Sequence, residues 1–236
     1  MTQHIGIVAC SVEGAALCYR TIASESAPVM GEHQHPVITI HTHPLGRYMD
    51  AIYRNDWRAI ADIMLDSTRI VANAGADFAI CPDNTIHQAF PLVEPVSPIP
   101  WLHIARNVAS EAKRSGARCV GITGTKYLMT GPVYPDAFNA AGLEFRIPGE
   151  ADRERINDII FKELVYGVIK ESSRLFFNEA INRLKADGAD AVVLGCTEIP
   201  LLVRPDDCPL PSFDSTRLLA RAAIRRATEA ELSEPQ

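Results

Sequence analysis

The apolar residues of this chain fall into two kinds of pattern. Ile5 to Ala9, Val37 to His41, Phe78 to Cys81, Cys119 to Thr123, Leu143 to Ile147 and Ala191 to Leu194 are short runs rich in β-branched residues, mostly without alternation. Runs of that kind fit strands buried on both faces, as in parallel sheets. Between them, apolar positions recur at helical spacing. This predicts helices over Ala15 to Ser24, Trp57 to Ala74, Ile104 to Ser115, Tyr134 to Ala141, Asp152 to Tyr166, Ser172 to Asp187 and Asp214 to Ala230. Gly75 and Gly116 stand where such helices should end, and Ser11 stands where the first should begin. Strands alternating with helices imply an α/β fold with parallel sheets and helical cover. Residues 26–36, 42–47 and 82–87 read as loops. The proline-rich stretch from Pro91 to Pro100 reads as a linker with residues 99–102 extended, and Glu231 to Gln236 as a fraying tail.

One pattern occurs twice. Gly75-Ala76-Asp77 opens a strand that ends near Asp83, and Gly188-Ala189-Asp190 opens one that ends near Cys196, with eight positions from glycine to strand end in both. Upstream, Ile5-Gly6-Ile7-Val8 is echoed by Val120-Gly121-Ile122-Thr123. Such self-similarity marks a duplicated unit. Two copies facing each other would put Asp83 and Cys196 across a shared cleft, beyond the carboxyl ends of the strands where open α/β sheets bind ligands. The expected division is an N-terminal lobe of residues 1–98 plus 212–236, closed by the last helix, and a C-terminal lobe of residues 99–211.

Composition narrows the function classes. A net charge of −6 gives no electrostatic footprint for nucleic acid. No stretch approaches the roughly 20 apolar residues of a membrane helix, and the N-terminus enters a strand without a basic leader, so a cytoplasmic protein is expected. The cysteines at 10, 18, 81, 119, 196 and 208 form neither a Cys-x-x-Cys pair nor a zinc spacing, so most should be thiols. No dinucleotide or P-loop fingerprint follows a strand, and nicotinamide, flavin and nucleoside triphosphate are not implied.

Cys196 is the leading candidate for chemistry, because it follows a glycine at a strand end and precedes Thr197 and Glu198; the plain alternative is a buried thiol. Asp83 holds the matching place and either exchanges protons or caps its own turn. Asn84, Thr85, Thr125 and Thr197 lie just past strand ends, where amides and hydroxyls suit a carboxylate ligand, or else cap helices. Cys10, after the first strand, lines the cleft in this reading. His87 is either a proton partner or a polar residue at a helix start. Arg47 meets a substrate anion or water. His41 and His43 lack a clear third ligand, so no metal is expected.

Three segments resemble the aspartate/glutamate/hydantoin racemase superfamily over essentially the whole chain. Leu194-Gly195-Cys196-Thr197-Glu198-Ile199-Pro200 is similar to its Gly-Cys-Thr-Glu motif. Pro82-Asp83-Asn84-Thr85-Ile86-His87 resembles its Cys-Asn-Thr-x-His motif, and Pro211-Ser212-Phe213-Asp214-Ser215-Thr216 its closing Phe-Asp-Thr segment. The resemblance implies two pseudo-symmetric, Rossmann-like lobes with the active site between them. It implies cofactor-independent proton transfer at a substrate α-carbon, a small carboxylate-containing substrate, and a homo-oligomer. By this resemblance Cys196 and Asp83 serve opposite faces of that carbon. The resemblance has Asn84, Thr85, Thr125 and Thr197 hold the carboxylate; from the residues themselves, Ser11, Cys10 and Arg47 are expected to line the site as well, with His87 and Glu198 behind it. The chain departs from the pattern at Asp83, where a cysteine is usual, at Ala9-Cys10-Ser11, where glycines are usual, and at Tyr166, a position that is often basic. An amino-acid racemase or epimerase is expected. A lyase or hydrolase, decarboxylase-like or acting on a hydantoin-like compound through Cys196 as its single thiol, is the alternative; a binding protein that kept the fold is a third reading.

Overall fold

The computed structural model describes residues 2–232, so residues 233–236 of the expected fraying tail lie outside the described residues. The chain forms two compact units, residues 1–104 with 216–236 and residues 105–215. Its elements up to the first crossing are β1 Ile5–Ala9, α1 Val12–Glu25, α2 Ala27–Met30, β2 Ile38–Thr42, α3 Leu45–Tyr53, α4 Trp57–Asn73, β3 Phe78–Ile80, α5 Phe90–Val93 and β4 Trp101–Leu102. Next come α6 Ile104–Arg114, β5 Cys119–Thr123, α7 Lys126–Thr130, α8 Val133–Ala141, β6 Glu144–Arg146, α9 Glu150–Lys162, α10 Glu171–Ala186, β7 Ala191–Leu194, α11 Ile199–Leu202, β8 Ser212–Asp214 and α12 Ser215–Leu232.

Each unit is built on a four-stranded parallel sheet, ordered β2-β1-β3-β4 in the first and β6-β5-β7-β8 in the second. The same order in both units is the duplication expressed as topology. In the first unit Ile5, Ile7, Phe78 and Ile80 bury one face of the sheet against Cys18 and Ile22 of α1 and Leu219, Ala220, Ala223 and Ile224 of α12. Side chains alternate along a strand, so Gly6 points to the other face. A Cβ there would lie 2.7 Å from Val71 Cγ2, so the glycine lets α4 sit directly on β1. Gly121 does the same in the second unit, where a Cβ would lie 3.0 Å from Leu184 Cδ1 of α10.

The repeated Gly-Ala-Asp has an equally physical basis. Gly75 and Gly188 follow the ends of α4 and α10 with φ of 95° and 96°, a left-handed geometry that costs glycine little. Asp77 then accepts from the His4 amide at 2.7 Å. Asp190 accepts from the amides of Arg118 and Cys119, each within 3.1 Å. Each aspartate thus clips the amino end of one strand to the chain entering its neighbour.

The structure differs from the sequence-based expectation at its edges. β4 pairs with β3 and β8 with β7, so each crossing falls a few residues later than the prolines suggested. Residues 91–100 are not a slack linker. α5 and a 3-10 turn at Glu94–Val96 run through them, with Phe90 and Val93 buried. Pro91 and Pro95 sit in the first turn of these short helices, where a missing N–H costs nothing. Residues 45–47, expected as loop, begin α3, which runs to Tyr53 and buries Tyr48, Ala51 and Ile52.

Candidate functional site

In the second unit the turn after β7 is fixed by close approach rather than by an unusual backbone angle. Gly195 N donates to Thr123 O at 2.8 Å. A Cβ on Gly195 would lie 2.6 Å from that same oxygen and 2.5 Å from Leu128 Cδ2. No side chain fits, and the chain emerges beside the end of β5 with Cys196 half-buried. The Cys196 thiol donates to Glu198 Oε2 at 2.9 Å, and the Thr197 hydroxyl donates to the same oxygen at 2.9 Å. Glu198 is buried, with 4% of its surface exposed. A thiol and a carboxylate in direct contact can hold one proton between them, which is what an acid/base sulfur needs. The helix that follows, α11, has four residues, so its dipole adds little at this position. Thr125, at the end of β5, caps α7 by accepting from Leu128 N at 3.2 Å.

In the first unit Asp83 is half-buried at the end of β3. Its Oδ1 accepts from Ile86 N at 3.4 Å, the loose cap that a turn aspartate makes. Asn84 and Thr85 are buried beside it. His87 is buried as well; its Nδ1 donates to Asp83 O at 2.6 Å and its Nε2 accepts from Ile104 N at 3.4 Å. Both ring nitrogens therefore meet backbone. That arrangement fixes one neutral tautomer and makes the ring an anchor for the Asp83 turn rather than a proton carrier. Ser11 caps α1, accepting from Gly14 N at 3.1 Å, and Cys10 is buried just before it. Burial first, and the nearby Asp83 second, push the Cys81 thiol well above its ordinary range, so this cysteine stays protonated.

Arg47 stands apart from this group. It is exposed on α3, where its Nη1 donates to His43 Nδ1 at 2.9 Å while His43 Nε2 donates to Asp66 at 2.8 Å. It lines an open cavity of about 410 Å³ with Asp50, Arg54 and Asp62, which neither Asp83 nor Asn84 reaches. His41 bonds Ser67 Oγ at 2.9 Å instead of turning toward a shared ion with His43. Among the described residues no three His, Cys, Asp or Glu side chains are grouped to hold a metal, and no helix is long and apolar enough to cross a membrane.

Sequence reasoning missed Tyr48. The residue is fully buried on α3, and its hydroxyl has no hydrogen-bond partner. Burial above all, then the neighbouring Cys81, Cys10 and Asp83, holds the phenol far above its ordinary ionisation. The Ser67 side chain, close to the phenol, works against that shift. An unmet buried hydroxyl costs about 1–3 kcal/mol. The spacing of Tyr48, Ala51 and Ile52 was the available signal, hidden by Pro44 and Gly46 at the helix start.

The model of the Asp/Glu/hydantoin racemase family matches residues 7–223. The broad specificity amino-acid racemase RacX of Bacillus subtilis (strain 168) is 21% identical over 194 residues, covering 80% of this chain and 81% of RacX. An Asp/Glu racemase candidate from Yersinia pestis superposes with a TM-score of 0.88 at 30% identity, over 95% of this chain and 99% of the other. An aspartate racemase homologue from Pyrococcus horikoshii OT3 gives 0.84 at 27% identity, over 97% and 100%.

Proposed function

This chain belongs to the Asp/Glu/hydantoin racemase family, and from that premise we propose that it is a cofactor-independent amino-acid racemase in which Cys196 and Asp83 exchange protons with opposite faces of one α-carbon. The observation that carries the reading is the 2.9 Å contact from the Cys196 thiol to the buried Glu198 carboxylate. In one direction Glu198 takes the thiol proton, the sulfur removes the α-proton, and Asp83, entering protonated, delivers its own proton to the other face. The turnover leaves Cys196 as a thiol, Glu198 protonated and Asp83 ionised, which is the state from which the reverse direction starts; there Asp83 takes the α-proton, Cys196 delivers its own, and Glu198 returns a proton to the sulfur. Two groups are needed because inversion requires delivery to the face opposite removal. Asn84, Thr85, Thr125 and Thr197, with the amides that Ser11 and Cys10 present at the start of α1, hold the substrate carboxylate while the proton moves.

The two groups are unequal. A carboxylate with an ordinary pKa of about 3.9 is a weaker base than a thiolate near 8.5. Because the equilibrium constant of a racemisation is one, kcat/KM is the same from either enantiomer, and the inequality appears in kcat and KM separately. The decisive experiment incubates each enantiomer of a broad amino-acid panel in heavy water. Deuterium at Cα with decay of optical activity is expected, and both are lost by about 10²–10⁴-fold in Cys196→Ala and Asp83→Asn. Absence of exchange across the panel would sink the reading. Asp83 in place of a second thiol also favours a one-thiol lyase on the same scaffold. Carbon dioxide or ammonia released without Cα inversion would select that activity instead.

A further inference from the structure

We propose that the open edge of β2, with the exposed flank of α1 above it, is the surface on which two copies of this chain pair about a two-fold axis, β2 running antiparallel to β2 of the second copy. The inference goes beyond the proposed activity and does not depend on it. It starts from the ladder. Ile5 N donates to Val37 O at 2.9 Å, and Ile5, Ile7 and Ala9 lie level with Ile38, Ile40 and Thr42. In a parallel pair this register turns the N–H and C=O groups of Val37, Thr39 and His41 toward β1. Those of Ile38, Ile40 and Thr42 point outward, and among the described residues no hydrogen bond reaches them. Such an edge is a template for another strand. The other three edges are blunted. β4 and β8 have two and three residues, and β6 has three, with Glu144 and Arg146 bonded to each other at 3.1 Å. β2 has five residues and carries no Asp, Glu, Lys, Arg or Pro.

The occupant is a second copy because the patch is complementary to itself. A two-fold axis requires the same surface on both partners. Antiparallel pairing about Ile40 sets Ile40 against Ile40 and Ile38 against Thr42, and each outward N–H then meets an outward C=O. α1 repeats that symmetry. Ile38 packs on the cluster that holds Cys18 and Ile22, so α1 covers the face of the sheet that carries Ile38 and Ile40. Val12, Ala16 and Tyr19, at i, i+4 and i+7, form an exposed stripe along α1. α1 starts just past Ala9, which is level with Thr42. Ala16 then lies about 6 Å down the helix from Val12, and Ile40 about 7 Å down the strand from Thr42. The two centres fall at one level, and the small alanine lets the paired helices approach. Glu13 and Arg20 stand on either side of Ala16, both exposed and neither in an ion pair. Antiparallel α1 helices bring each Glu13 toward Arg20 of the second copy. Val12, Tyr19, Val37 and Ile40 are 74%, 43%, 62% and 42% exposed. With the strand backbone they supply on the order of half of the roughly 800 Å² that each partner of a stable pair buries, and the charged positions form the rim.

The test is sedimentation equilibrium of the full chain over micromolar concentrations, where the parent protein is expected to be a dimer. Ile40→Pro deletes an outward N–H and no bond to β1, a place where edge strands accept proline, and the dissociation constant should rise at least about 100-fold. Glu13→Arg sets like charges face to face and should weaken pairing about tenfold. Glu13→Arg combined with Arg20→Glu reverses both signs and should restore pairing to within about threefold. Circular dichroism checks that each variant folds, and the charge swap decides the matter if the proline variant does not. A monomeric parent protein, a dimer that folded Ile40→Pro leaves intact, or a charge swap that fails to restore pairing overturns the proposal.

Discussion

The turn after β3 ends on a carboxylate and the turn after β7 on a thiol, at the same eight-position distance from a left-handed glycine. Beneath those turns the two units repeat each other. Gly75 and Gly188 share a backbone angle, Asp77 and Asp190 clip neighbouring strands, and Gly6 and Gly121 admit a helix onto the sheet. The repeated positions are those where packing or an amide leaves little choice. The divergent positions are those at the carboxyl ends of the strands, where the scaffold tolerates either residue and chemistry selects between them. The turns also differ in how they are held. Gly195 is pressed against the Thr123 carbonyl, while the corresponding place in the first unit is Pro82, which carries a ring.

That contrast gives the largest expected effect. Gly195→Ala places a methyl 2.6 Å from a backbone oxygen, and backbone cannot yield as a side-chain tip can. A loss of about 3 kcal/mol is expected in denaturant unfolding, with turnover down at least about 100-fold because Cys196 is displaced. Pro82→Ala should cost under about 1 kcal/mol. Equal costs at the two positions would show that the turns are held alike. Asp83→Cys makes the two strand ends match. If unequal bases cause unequal kcat values from the two enantiomers, that ratio should move toward one, as followed by circular dichroism from each side. An unchanged ratio places the inequality elsewhere.

The frame was the more legible part of this molecule. Apolar runs exposed β1, β3, β5 and β7 because strands buried on both faces need such runs; β2 and β6 are half-exposed strands at the sheet edges, found from the same kind of short run. β4 falls inside residues 99–102, read as extended, whereas β8 is three residues long and carries no period, so only its pairing with β7 reveals it. Proline misled in residues 91–100, since its ring suits the first turn of a helix as well as a break. At the site, order and spacing singled out Cys196 and Asp83. They could not show that the short turn of α11 folds the Glu198 carboxylate back onto the sulfur, because that is a matter of side-chain direction. Nor could they separate Arg47, which lies just past a strand end in sequence but, from α3, bonds His43.

The clips at the amino ends of the strands sharpen the comparison at lower cost. Asp190 is partly sheltered and meets two amides, whereas Asp77 is exposed and meets one. Hydrogen bonds to a charged acceptor contribute about 1.5–3 kcal/mol, and less where water screens them. Asp190→Ala should therefore cost about 2–3 kcal/mol and Asp77→Ala about half of that, read from urea midpoints. The strand glycines should rank the other way. Gly6→Ala meets the stiff Val71 at 2.7 Å, while Gly121→Ala meets the end of the more flexible Leu184 at 3.0 Å. Costs of about 2 and about 1 kcal/mol are expected. If Asp77 proves the more costly clip, the two units are not mechanically equivalent at their amino ends.

The smallest effect is one that acid removes. Among the described residues the first unit fully buries none of its aspartates or glutamates, whereas the second buries Glu163 and Glu198. Glu163 accepts from Ser173 Oγ at 2.5 Å and pairs with Lys170 at 3.4 Å, and the serine bond first, with burial opposing and the lysine reinforcing, holds its carboxyl below the ordinary range. A folded-state value below the unfolded one means that the carboxylate contributes its full stability above the unfolded pKa, about 4.3. That contribution then fades as pH falls through the lower folded value. Glu163→Gln should lower Tm at pH 7 by a small amount, and the gap to the parent protein should shrink as pH drops below about 4. The loss should appear in the turn at Leu164–Tyr166, which Glu163 pins to the start of α10, and hydrogen exchange on that segment would report it. A gap that stays constant down to pH 3 would mean that the Ser173 bond acts through packing alone, and the second unit would then owe no part of its acid lability to this carboxylate.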